Sequence, residues 1–166
     1  MNVDSFRFLP RSFRPLYESP APIETGEVWA PFPVRLADAR IALLSSAGLY
    51  VRDEQEPFDL DGERRRPEWG DPSHRVIPTG TAPDSLDMCH LHVNDTDVLA
   101  DPEIALPVGL LGELAAEGVI GSVAPDHVAV MGYQEAGLAG WRDETAPAVI
   151  DLLRAQDTDG VVLAPV

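Results

Sequence analysis

The sequence predicts an α/β fold: three layers around a mostly parallel sheet of Rossmann-like topology, preceded by an extended N-terminal arm. Three observations predict it. The run from Arg40 to Gly48 is continuously apolar and ends in small residues, the pattern of a strand buried on both faces. Near the other end, a helical pattern, the turn Asp159-Gly160 and the apolar Val161-Val162-Leu163 follow one another, which is half of a βαβ unit. Proline is unevenly spread, with 9 of 16 in the first 72 residues, so that half is loop-rich.

Residues 1–38 read as the arm. Phe6, Phe8, Leu9, Phe13, Leu16, Tyr17 and Trp29 are spaced by Pro and Arg without lasting periodicity. Such an arm suits either a dimer surface or a segment laid over its own core. Residues 39–166 read as a single α/β domain, and the strand at Arg40 opens it. Residues 52–72 are charged and rich in Pro and Gly, hence an excursion. Arg75–Pro78 is a second short strand, and the alternation in Asp87–Val93 predicts a third. A helix is expected from Pro107, with Leu106, Leu110, Leu111 and Leu114 on one face and Gly118 as its C-terminal cap. Val119–Val123 and His127–Met131 are short apolar strands. Thr145 is placed to cap a second helix, with Pro147 in its first turn and Val149, Ile150, Leu152 and Leu153 inward.

The 166 residues suit one domain with a sizeable core. The net charge is -16 and all 12 basic residues are Arg, so sequence-independent binding to nucleic acid or to an anionic membrane is disfavoured. Arg64-Arg65-Arg66 is the one basic run. No window reaches the length of a membrane span, and the N-terminus lacks the apolar core of a secretory signal, so the cytoplasm is expected. The one cysteine, Cys89, excludes an internal disulfide within these residues. Its neighbour His90 would point to the opposite face of a strand, so Cys89 reads as a small core residue.

His90 and His92 stand at i and i+2, which on a strand share a face. Both imidazoles could then meet one substrate or one divalent metal such as Zn or Fe. The plainer reading is two polar strand-end residues bonded to nearby backbone. In the turn Gly70–Arg75, Asp71 and Ser73 can cap backbone donors and Arg75 can clamp a carboxylate. The plainer reading there is a structural turn.

Several segments in order carry a resemblance. They are the segment Arg40–Val51, then Glu56-Pro57-Phe58-Asp59, then Gly70-Asp71-Pro72-Ser73-His74-Arg75-Val76-Ile77-Pro78. His90-Leu91-His92, Leu114–Ser122 and Asp159–Val166 follow. Over residues 28–166 the chain resembles the selenoprotein B family of the glycine, sarcosine, betaine and D-proline reductases, especially its short members. The resemblance implies a small amine or amino acid as substrate, cleaved reductively at a C–N bond by a selenocysteine or cysteine. It implies that Arg75 holds a substrate carboxylate, with Asp71, Ser73, Ser45 and Ser46 also binding substrate. His90 and His92 would orient the substrate or donate protons.

In that family the redox motif directly follows a strand ending like Ala164-Pro165-Val166. The chain as given is therefore expected to lack the redox nucleophile and to be shortened at its C-terminus. A selenocysteine codon read as stop, a binding or accessory subunit, and a separate polypeptide carrying the motif are the readings this opens. A metal-dependent enzyme using His90 and His92 is a further one. No cofactor is expected in this chain beyond that candidate divalent metal. Val166 is expected to be exposed, or covered by a second copy or partner subunit at the carboxyl edge of a buried final strand; a homodimer fits the apolar arm.

Overall fold

The computed structural model describes residues 30–66, 68–133 and 138–166, of which Phe32–Val166 form one compact unit. The greater part of the predicted arm, residues 1–29, lies outside the described residues. The sheet is built on β1 (Arg40–Ser45), which has neighbours on both sides. On one side β7 (Gly160–Ala164) runs parallel to it, from Ile41↔Gly160 to Ser45↔Ala164. On the other side β5 (Ser122–Val123) pairs with its first residues and β6 (Asp126–Val130) with its last, both parallel. At the far edge β3 (His74–Pro78) is antiparallel to β6. Pro78 sits at the end of this edge strand, where a missing N–H is tolerated. The mostly parallel α/β sheet predicted from Arg40–Gly48 is thus present.

Side chains alternate across the sheet as strand geometry requires. Ile41, Leu43, Ile77 and Ala129 face one layer. They meet Val98 of α2 (Asp95–Ala100) and Leu111 of α3 (Val108–Ala116). Leu44, Val128 and Val130 face the other layer, against Val149, Leu152 and Leu153 of α4 (Ala146–Ala155). Each fully buried Val, Leu or Ile side chain contributes roughly 1.5–3 kcal/mol, so these two seams hold the three layers together. No helix among the described residues is long and apolar enough to cross a membrane.

The seam between β5 and β6 is interrupted. β1 advances from Ile41 to Leu44 while its neighbour advances from Val123 to Val128. Ala124 still donates to the Ile41 carbonyl at 2.8 Å, but the Leu43 N–H has no ladder carbonyl opposite. The His127 imidazole takes that place: its Nδ1 accepts from Leu43 N at 3.1 Å, and its Nε2 lies 3.1 Å from Thr79 Oγ1. Thr79 Oγ1 in turn donates to the Ala124 carbonyl. The chain of bonds requires a neutral ring with its hydrogen on Nε2. Burial agrees, since it pushes the pKa of this fully buried imidazole down.

A small antiparallel sheet adjoins the main one, with β2 (Leu49–Val51) on β4 (Leu86–Met88). Gly48 makes the approach possible. Its φ is +68°, and a Cβ there would lie 2.0 Å from the Cys89 carbonyl oxygen. Its N–H donates to Val130 O and its own carbonyl accepts from Cys89 N, each at 2.9 Å.

The structure corrects five local expectations. β4 ends at Met88, so His90 and His92 sit on a turn that leads to Asn94, whose side chain accepts from Thr96 N to cap α2. Leu110 is 53% exposed, because α3 starts only at Val108 and Leu106, before it, packs inward from the preceding turn. Thr145 is not a side-chain cap: a π-helical turn, Trp141–Thr145, leads straight into α4, and the hydroxyl donates instead to the Pro72 carbonyl. Ile150 faces outward at 44% exposed. Most consequentially, β7 is not buried on both faces. Val161, Val162 and Leu163 are 37%, 45% and 66% exposed, because β7 is an edge with β1 as its one partner among the described strands. Apolar composition alone could not separate such an edge from an interior strand. Val166 is 40% exposed.

Candidate functional site

The excursion of residues 52–72 contains a helix, α1 (Leu60–Arg65), started by Asp59, whose carboxylate accepts from Gly62 N at 2.8 Å. Two motifs singled out in the sequence pin this excursion to the sheet. Asp71 accepts from Asp59 N at 2.9 Å and from the Ser73 N–H and hydroxyl at 2.8 and 2.6 Å. These bonds hold its carboxyl below the usual range against the opposing pull of burial. Arg75 donates to Glu56 O at 2.7 Å, Pro57 O at 3.1 Å, and Ser73 Oγ and His74 O at 2.9 Å. Its guanidinium also stacks 4.2 Å above the Phe58 ring. The Glu56–Asp59 and Gly70–Arg75 segments are therefore two halves of one joint. Arg75, proposed from the sequence as a carboxylate clamp, directs its donors to the protein's own backbone carbonyls and to the Ser73 hydroxyl.

What the joint carries is Glu63. Its side chain is 1% exposed, and neither carboxylate oxygen has a hydrogen-bond partner among the described residues. His92 Nε2 lies 3.8 Å from Oε1, too long for a hydrogen bond and close enough for the two groups to interact electrostatically. Burial pushes the Glu63 pKa up, and the Asp71 charge adds to that; His92 and Arg64 oppose it. The sequence reading missed Glu63. A Glu inside a run of Arg, Pro and Gly carries no apolar pattern that would mark it as buried.

His92 is half exposed and lies over this carboxylate. The Tyr133 ring, just beyond β6, packs at 4.6 Å from its ring centre. His90 stands edge-on to His92, with ring centres 6.0 Å apart. His90 Nδ1 accepts the His92 backbone N–H at 3.1 Å, and burial lowers the His90 pKa. Glu63, His90, His92 and Tyr133 thus gather by the carboxyl ends of the parallel strands, where α/β folds bind ligands. Among the described residues no group of three or more His, Cys, Asp and Glu side chains is arranged to hold a metal ion.

The remaining candidates serve the edge from beneath. Ser45 is fully buried and accepts from Ala47 N at 3.3 Å. Ser46 Oγ accepts from Val166 N at 2.9 Å, tying the end of β7 to the end of β1. Cys89 is buried beside Phe58 and Met131, and burial raises its pKa, the opposite of an activated thiolate.

The fold is that of a three-layer α/β protein, with two imidazoles and a buried carboxylate by the carboxyl ends of its parallel strands. No family model matches the sequence, and no solved structure matches it. Over 142 residues, 86% of its length, the chain is 29% identical to D-proline reductase subunit gamma of Acetoanaerobium sticklandii. The match takes in 54% of that protein, so the chain spans about half the length of this curated relative.

Proposed function

We propose that the chain is a reductase-type subunit that binds a small amino acid or amine at the carboxyl edge of its sheet. The observation that carries this reading is the similarity to a D-proline reductase subunit over most of the chain. The site supports it, because His90, His92 and Glu63 stand where such a fold places ligand chemistry. The reaction class is reductive C–N cleavage, in which the imidazoles orient substrate and handle protons. A thiol or selenol other than Cys89 serves as nucleophile, since a buried thiol of raised pKa is a poor one. A partner subunit fits this reading, because the relative is itself one subunit of an enzyme.

Calorimetry with D-proline, glycine, sarcosine and betaine tests it. Saturable binding of one of them, weakened at least about tenfold by His92→Gln, is expected. Absence of binding to all four, with the protein folded, overturns the reading. Cys89 burial also favours a second reading, a binding subunit without turnover. Saturable binding with no C–N cleavage when a dithiol and the partner subunit are supplied would select it.

A further inference from the structure

The two imidazoles are held with opposite chemistry facing outward. His90 accepts the His92 N–H through Nδ1, so a neutral His90 carries its hydrogen on Nε2 and offers a donor. His92 turns Nε2 toward the buried Glu63 carboxylate, where the favourable tautomer carries its hydrogen on Nε2; Nδ1 is then an acceptor. No hydrogen bond from a described residue reaches His90 Nε2 or His92 Nδ1. Glu63 is suited to this role and not to direct ligand contact. It is 1% exposed, His92 Nε2 lies 3.8 Å from its Oε1, and its oxygens have no hydrogen-bond partner among the described residues. The neighbouring charges, Arg64 and Asp71, act on it without replacing that partner. The Tyr133 ring packs against His92 and limits its rotation.

We infer that His90 and His92 form a paired donor and acceptor for a zwitterionic amino acid, and that Glu63 is the positioning residue fixing the acceptor. His90 Nε2–H donates to the ligand carboxylate, and His92 Nδ1 accepts from its ammonium group. The inference rests on the proposed function for the ligand's class, and it moves carboxylate recognition from Arg75 to His90. Neither imidazole could serve both ends, since each has one outward nitrogen.

Two measurements test it. Long-range proton–nitrogen NMR spectra of the free protein at about pH 8.5, where imidazoles are neutral, report each tautomer. Both rings are expected to carry hydrogen on Nε2, His92 by more than about ten to one. Glu63→Leu should lower the His92 ratio at least about threefold, whereas Glu63→Asp keeps it. An unchanged His92 ratio in folded Glu63→Leu, or a His90 hydrogen on Nδ1, overturns the inference. In the second measurement, D-proline is compared with prolinol, which lacks the carboxylate, and with tetrahydrofuran-2-carboxylate, which lacks the N–H. Prolinol should move the His92 nitrogen signals alone, tetrahydrofuran-2-carboxylate those of His90 alone, and D-proline both. Equal or exchanged responses overturn the assignment. If no amino acid binds, the proposed function fails, while the tautomers of the free protein still decide whether Glu63 positions His92.

Discussion

Two buried ionisable residues respond to pH in opposite directions. Unfolded histidine titrates near 6.5, and His127 in the fold titrates lower. Between those values the unfolded chain holds a proton that the folded one does not, so stability falls as pH drops below 6.5. His74 and His90 shift the same way and add to the slope. In His127→Leu the slope should shrink. Stability at neutral pH should also fall by about 1–3 kcal/mol, because Leu43 N is left unpaired. Urea titrations across pH 5–8 measure both. Glu63 behaves inversely. Its unfolded value is 4.5 and its folded value is higher, so in that window the folded chain holds the extra proton. Stability is lost as pH rises through it. Glu63→Gln removes that loss, so the variant should gain on the wild type with rising pH, by on the order of 1 kcal/mol at neutrality. A wild type that gains on the variant as pH rises would contradict the assignment. Neither residue was legible from sequence. His127 matters because of a bulge opposite Leu43, and Glu63 because of a joint formed by residues on either side of it.

At the scale of elements, strands and helices with their own apolar pattern were readable. β1, β6 and α3 with its Gly118 cap, where φ is +71°, appear where residue pattern placed them. Elements defined by partners were not: α1 hides in a polar excursion, and the turn carrying His90 and His92 has the alternation of a strand. A shared strand face was expected to relate the two histidines; what relates them in the structure is a backbone bond. The excursion depends on the joint. Arg75→Ala should free the Glu56 and Pro57 carbonyls, lower stability by about 2 kcal/mol and speed hydrogen exchange across residues 52–66. Arg75→Lys should rescue little, since one ammonium cannot reproduce the planar fork. Exchange confined to residues 74–78 would show that the joint does not hold α1. Gly48→Ala should cost more than about 2 kcal/mol, combining a positive φ with a clash on the Cys89 carbonyl. Thermal unfolding checks it.

For the whole molecule, the layer order followed from sequence, while which strand lies at the edge did not. Val161, Val162 and Leu163 are as apolar as the residues of β1, yet they border the sheet and stay partly exposed. No described residue pairs with the outer edge of β7, and strand edges of this kind recruit further strands. The protein should therefore self-associate as concentration rises, and Val162→Lys should suppress that without lowering the melting temperature. Sedimentation velocity reads the first and calorimetry the second. Equal association of both proteins would assign it to another surface.

The pairing of β1 with β7 sets a timetable for folding. Ile41 and Gly160 are partners, and Asp159 bonds to the Arg40 backbone across 119 residues of chain. On a ribosome the central strand waits, one side open, until the residues up to Gly160 and beyond have been synthesised. Such distant pairing makes loop closure expensive and slows the search. During that wait β1 presents an unpaired apolar edge, and the interval lengthens wherever translation pauses before Gly160.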